Sequence, residues 1–467
     1  INGTITDDKE FLEELINLTE FPTPVLCSFE DTKINIPDCI VESVVKDHMK
    51  ALPITNKDGN RLLPYFIVIK NGTSDFSENV RKGYEKVVKA KVLDGEFFFN
   101  EDRKKRLSDR LNELEQVIFM RNLGSMKDKT NRLVNIGEHI SGILKFSPEK
   151  KNDLKRAAML SKCDLVTNIV KEFPELQGRI GGIYASLDGE NIEVSRAIEE
   201  HYLPRSLNDR LPESELGKIL SIIDRVDTIV GSILSSVEFS SSKDPFGIRK
   251  TASGITEILC QMNNTSYFPL KELIMKAKEV YFEYDKKLNG DINNVYSLIY
   301  DRTESFLREN GIDYDISNAV IKLDLDELPT FLERAKFLMK HRQENAFELL
   351  CQAHKRVRNI LSKAEFDEKP VDNNYLFDES EIRLNNIINE SCDLLPSLLA
   401  SRDFEAVLHM FYLLNPEVKK FFENVLVMDE NKKIRYNRLN LLLKLKNLYE
   451  KFASFSEIVI NENKDKG

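Results

Sequence analysis

Apolar side chains recur along most of this chain at the three- and four-residue spacing of a helix. Ile219, Ile222, Ile223, Val226, Ile229, Val230 and Ile233 form the broadest such face, one that needs burial on more than one side. Leu107, Leu111, Leu114 and Ile118 form a narrower stripe, read as one helix leading out of a first domain. The first 125 residues follow another rule. Segments 24–29, 33–36 and 65–69 are short, apolar and rich in β-branched or aromatic residues, with Pro, Asn, Asp and Gly between them. Asp58-Gly59 lies between two such segments and predicts a hairpin. Asp188-Gly189 and the serines at 240–242 mark loops, and the cluster Gly178-Arg179-Ile180-Gly181-Gly182 reads as a turn. An acidic stretch, 367–379, holding Pro370, Asn373 and Asn374, divides the last helical part. The pattern predicts a mainly α protein with a smaller α/β N-terminal region. Its parts are residues 1–125, mixed α/β; 126–290, a helical domain; 291–345, a helical connector; and 346–467, a second helical domain.

Composition narrows the function classes. A chain of 467 residues exceeds one ordinary core, and 41% hydrophobic with 31% charged residues fits a soluble protein rich in surface helices. No stretch approaches the roughly 20 apolar residues that span a bilayer. The chain opens on Ile1 with no signal-peptide pattern after it, which suits either a processed chain or a fragment of a longer protein. Six scattered cysteines, with no CxxC pair, argue against a zinc knuckle or a disulfide framework and suit buried free thiols. The net charge of −10 opposes a polyanionic partner on average, but the charge is uneven. Residues 333–363 hold eight basic against three acidic side chains, and residues 431–451 seven against one. Such windows can form a nucleic-acid face, but on charge alone a plain solvated helix face is the stronger reading.

Candidate chemistry is sparse. There is no GxxxxGK[ST] loop, no GxGxxG after a strand, no GxSxG and no HExxH. One constellation stands out: Asp164 within Lys162-Cys163-Asp164, then His201, then Asp224 and Asp227. Its order resembles the HD superfamily of metal-dependent phosphohydrolases, in which His and Asp side chains converge on a metal that activates water. Where that family has an adjacent His-Asp pair, this chain has Lys162-Cys163-Asp164. An ammonium cannot ligate a metal, so the site reads as a degenerate HD scaffold without metal chemistry. An active HD-type nucleotide phosphohydrolase is the alternative function.

Long collinear runs carry a second resemblance. LLPYFIVIKN (62–71), LSKCDLVTNIVKEFPELQG (160–178), LPESELGKILSIIDRVDTIVG (211–231), SKDPFGIRK (242–250), HKRVRNIL (354–361) and FFENVLVMDENKKIRYNRLNLLLKL (421–445) resemble the β subunit of the bacterial two-subunit glycyl-tRNA synthetases. The likeness covers nearly the whole chain. It implies an HD-like helical domain followed by a helical anticodon-binding domain, and a cytoplasmic protein with no membrane role. It also implies a non-catalytic, tRNA-binding subunit that positions tRNA(Gly) for glycylation at the active site of an α subunit. ATP and Mg²⁺ would be used by that partner, with no cofactor in this chain. The residues that suit RNA contact are Lys355, Arg356, Arg358 and Asn359 on one helix and Arg435, Asn437 and Arg438 on another, because Arg and Lys hold phosphates while Arg and Asn read base edges. Arg438 also fits an internal tie to an acidic helix. In the 242–250 run, Asp244 can cap a helix with Pro245 at its first position.

Overall fold

The computed structural model describes residues 2–5, 8–29, 35–59, 61–120, 122–206, 209–235, 244, 247–263 and 265–460. The fold is 67% helical with a small curled sheet near its N-terminal end, as the periodicity predicts. It divides into two compact units, residues 1–203 with 212–221, and residues 204–211 with 222–467.

The first unit opens on an antiparallel sheet, in the order β1 (Gly3–Ile5), β3 (Ala51–Asn56), β4 (Leu62–Asn71), β2 (Pro22–Ser28). The turn at Asp58-Gly59 forms, with Gly59 at φ 72°, a left-handed backbone that glycine adopts at least cost. Strand alternation buries Phe66 and Val68 on one face. On the other, Leu52, Ile67 and Ile69 pack with Phe11 and Leu15 of α1 (Lys9–Leu18). Of the strand expected at 33–36, positions 33 and 34 lie outside the described residues, and 35–36 are not in a strand. Next come α2 (Asp38–Ser43) and the long α3 (Ser77–Asp102). Gly95 permits their close approach, since a Cβ there would meet Ile40 Cγ2 at 2.9 Å.

The stripe from Leu107 to Ile118 is not one α-helix. Residues Leu107–Gln116 wind as a 3₁₀ helix, and Ile118 starts β5 (Ile118–Met120), which pairs with β6 (Gly124–Ser125). The tighter winding turns Leu107, Arg110 and Leu114 inward and leaves Ile118 74% exposed. The unit continues through α4 (Met126–Ile143), α5 (Pro148–Leu160), α6 (Asn168–Glu172), α7 (Arg179–Leu187) and α8 (Ile192–Glu200). Asp102, buried at the end of α3, ties these together. Its carboxylate accepts the N–H groups of Asn168 and Ile169 at 3.0 Å each and the Tyr184 hydroxyl at 3.2 Å. The glycine cluster at 178–182 is the start of α7 rather than a turn. Gly178 precedes the helix at φ 79°, and a Cβ on Gly182 would stand 2.8 Å from Glu199 Cβ and from the Ser195 carbonyl oxygen.

The broad isoleucine–valine face lies on α9 (Glu215–Leu234), and every one of those side chains is buried. The helix belongs to the first unit up to Ser221 and to the second from Ile222. The second unit is helical: α10 (Ile248–Cys260), α11 (Leu270–Tyr284), α12 (Asn293–Glu309), α13 (Tyr314–Ile321), α14 (Phe331–His341), α15 (Asn345–Leu361), α16 (Glu379–Ala400), α17 (Phe404–Asn424) and α18 (Lys432–Glu450). The helix α10 starts at Ile248 with Gly247 at its N-cap position, later than a start at Pro245, yet Asp244 still reaches its first turn, accepting the N–H groups of Ile248 at 2.8 Å and Arg249 at 3.0 Å. Pro245 and the 240–242 serines lie outside the described residues. Rings of Phe347, Phe411, Tyr449, Phe452 and Phe455 form the core at the chain's end, mostly edge to face. Buried Arg334 fastens the turn after α18 by donating to the carbonyls of Lys451 at 3.0 Å and Phe452 at 3.2 Å.

Five of the six cysteines are buried, and all six are free. Burial pushes the thiols of Cys27 and Cys39 up to about 11 and those of Cys163 and Cys351 up to about 12, which keeps them protonated and unreactive. No described helix is long and apolar enough to cross a membrane.

Candidate functional site

Two constellations were picked out by residue type, and the structure treats them differently. In the first unit, Lys162 and His201 are both buried, with Lys162 Nζ 2.9 Å from His201 Nε2. His201 Nδ1 lies 2.7 Å from the Ile198 carbonyl oxygen. The carbonyl can only accept, so Nδ1 carries the ring proton and Nε2 presents its lone pair to the ammonium. A metal ligand would need that lone pair. Lys162 also sits 3.9 Å from the centroid of the Tyr202 ring, a cation on an aromatic face. Asp164, fully buried, accepts the Gly178 N–H at 2.5 Å and so fixes the entry to α7.

Asp224 and Asp227 lie in the second unit, on α9. Asp227 is buried, and its carbonyl accepts the Tyr281 hydroxyl at 3.0 Å. Among the described residues no group of three or more His, Cys, Asp or Glu is placed to hold a metal ion. The donors do not fit one: the imidazole faces a fixed cation, and the Asp164 carboxylate anchors backbone.

The second constellation begins with α15. Phe347, Leu350, Cys351, His354 and Val357 recur at three and four residues and are buried. That phase turns Gln352, Lys355, Arg356 and Asn359 outward. With Lys363, Met428 and the segment 456–460 they line an open groove of about 810 Å³. The side chains of Lys355, Arg356, Asn359 and Lys363 have no ion pair or hydrogen bond among the described residues. Arg358, expected beside them, is engaged instead. It donates to Ser456 Oγ at 3.0 Å and pairs with Glu457, which also pairs with Lys322. Burial alone would raise the Glu457 carboxyl, but Lys322 and Arg358 hold it below the usual carboxylate range. This clamp fixes the groove's far wall.

The residues on α18 are mostly turned inward. Arg438 is buried, with Nε 2.5 Å from Glu381 Oε1 and Nη1 donating to Asp429 Oδ2 at 2.9 Å and to the Leu426 carbonyl at 3.0 Å. It is the internal tie to an acidic helix. Asn437, also buried, exchanges two hydrogen bonds with the backbone of Asp372, at 2.8 and 3.0 Å. Neither is available to RNA, because its polar atoms already satisfy the fold. Arg435 is partly exposed and donates to the Asp429 carbonyl at 2.9 Å. Residue-type reasoning also missed several groove residues, Lys363 and Met428 among them. Lys363 follows Asn359 by four positions and Lys355 by eight, so helical phase could have found it. Met428 lies in a connection and carries no such signal.

Residues 1–322 match the family described as glycyl-tRNA synthetase beta subunit, and residues 350–457 match the DALR anticodon binding domain. Curated relatives called glycine–tRNA ligase beta subunit include proteins of Desulforamulus reducens (34% identical over 462 residues), Halothermothrix orenii (35% over 464) and Clostridioides difficile (35% over 459). Each alignment covers 98% of this chain and 66% of the relative, so the chain spans just under two thirds of their length. On these matches this chain belongs to the glycyl-tRNA synthetase beta-subunit family, with an anticodon-binding domain of the DALR type near its C-terminal end.

Proposed function

We propose that this chain is the RNA-holding part of a glycine–tRNA ligase. Its α15 groove grips the anticodon loop of tRNA(Gly), while a separate α subunit uses ATP and Mg²⁺ to join glycine to the tRNA. One observation supports this above the others. Three of the residues chosen for RNA contact, Lys355, Arg356 and Asn359, line a single groove together with Lys363, and all four keep their polar groups unengaged among the described residues. Unsatisfied cations and an amide in an open groove suit a loop whose bases are splayed out and whose phosphates run alongside. The match of residues 350–457 to an anticodon-binding domain falls on the same helices.

Filter binding of tRNA(Gly) at several salt concentrations tests the reading. Lys355→Glu should weaken binding by roughly tenfold and flatten the slope of log affinity against log salt by about one, with the fold unaltered. Wild-type affinity and slope in that variant would reject the groove as the RNA site.

A further inference from the structure

We infer that Arg356 and Phe422 form a base-stacking shelf at this groove, on which one unpaired nucleobase of the bound RNA lies. The inference rests on the assignment of the groove to RNA and adds how a base, rather than a phosphate, is held there.

Arg356 Cζ stands 3.9 Å from the centroid of the Phe422 ring, which is van der Waals contact of a guanidinium with an aromatic face. Phe422 is half-buried on α17, and its ring meets that of buried Phe421 edge to face, with centroids 5.4 Å apart. One side of the guanidinium is therefore covered by an aromatic ring. The residue as a whole is exposed, and its N–H edges make no ion pair or hydrogen bond among the described residues. Arg435, by contrast, lies 5.9 Å from the Tyr436 ring and donates to a carbonyl.

A plane held by an aromatic on one side and open on the other is a stacking surface for a second flat π-system, and Arg planes take splayed bases in this way. Met428 lines the same groove at 52% exposure, giving a polarisable thioether beside the polar wall. An apolar side chain left open next to cations suits a base, which offers a π-face, better than a phosphate, which does not. A base inside a duplex is already stacked and paired, so the shelf selects single-stranded loops.

The test separates plane from charge. The complete chain is titrated with an RNA hairpin carrying 2-aminopurine in its loop, and with a fully paired RNA of the same length. Arg356→Lys keeps the charge and removes the plane. It should weaken hairpin binding about tenfold and abolish quenching of the 2-aminopurine fluorescence, with the salt slope and duplex binding unchanged. Phe422→Leu should act in the same direction. Unchanged hairpin affinity and quenching in Arg356→Lys, with Lys355→Glu still impaired, would overturn the shelf and leave the groove reading intact. Equal weakening on hairpin and duplex would also overturn it, by making Arg356 a backbone contact. If Lys355→Glu too is without effect, the groove itself is not the RNA site and the shelf falls with it.

Discussion

Arg356 and Arg438 are the same side chain in two surroundings, and burial decides what each does. Arg356 lies open over a ring. Arg438 faces Glu381, whose carboxylate is entirely buried. A buried carboxylate is tolerable only when paired, so Arg438→Met should destabilise the chain by about 3–5 kcal/mol in urea unfolding, and Glu381→Gln added to it should recover part of the loss. A loss below about 1 kcal/mol would show that the pair does not hold α16 to α18. The phase of α18 already contained the answer: Arg438, Leu441, Leu442 and Leu445 stand at i, i+3, i+4 and i+7, so this arginine lies within the apolar stripe. Residue type pointed to RNA while helical position pointed inward. Glu457 gives a second test at this scale. Its carboxyl is held low in the fold, so its stabilising contribution is complete above the unfolded value of about 4.3 and is lost as pH falls through the lower folded value. Glu457→Gln should therefore reduce stability at neutral pH and make the acid side of the stability profile shallower. Parallel profiles for variant and wild type, followed by thermal melting from neutral to acid pH, would contradict the clamp.

Among the elements, those with a strong and unbroken period were legible and those built on long-range ties were not. The α9 face repeats over its whole length, and all of it is buried. At Leu107–Gln116 the spacing fits an α-helix and a 3₁₀ helix nearly as well over so few residues, and the following strand pairing decided between them. The acidic connection before α16 was readable only as a break. Nothing local shows that Asn437 and Asn440 strap it to α18. Asn440 accepts the Lys369 N–H at 2.9 Å and donates to the Asp367 carbonyl at 3.1 Å, while Asn437 pairs with Asp372. The two amides sit three positions apart on one helix face and act as a stand-in for a neighbouring strand, satisfying backbone that would otherwise be open to water. Replacing both with alanine should leave α18 helical by circular dichroism yet expose residues 367–372 to limited proteolysis and fast hydrogen exchange. Unchanged protection there would mean that side-chain packing, not the asparagine pair, holds the connection.

For the molecule as a whole, charge and fold give different messages about a polyanionic partner. The net charge is −10, yet the groove brings together Lys355, Arg356 and Lys363. The fold makes this possible by neutralising the opposing charge: Glu457, in the groove wall, is taken up by Lys322 and Arg358, and Glu381 is sealed beneath Arg438. Neither cancellation is visible in the sum over the sequence, which is why composition argued against RNA while the long collinear runs argued for it. The division of α9 between two units was hidden for a similar reason, since its apolar period runs unbroken through Ser221 and Ile222. If the grip is local, the response to salt must count only the groove's cations. Each cation in contact with a single-stranded backbone releases about 0.7 of a counterion, so Lys355 and Lys363, with Arg356 given to a base, lead to a slope of log affinity against log salt of about −1.4. Titrating tRNA(Gly) across a series of salt concentrations measures it. A slope near zero would shift the affinity onto uncharged contacts, and one steeper than about −5 would require cations well outside this groove.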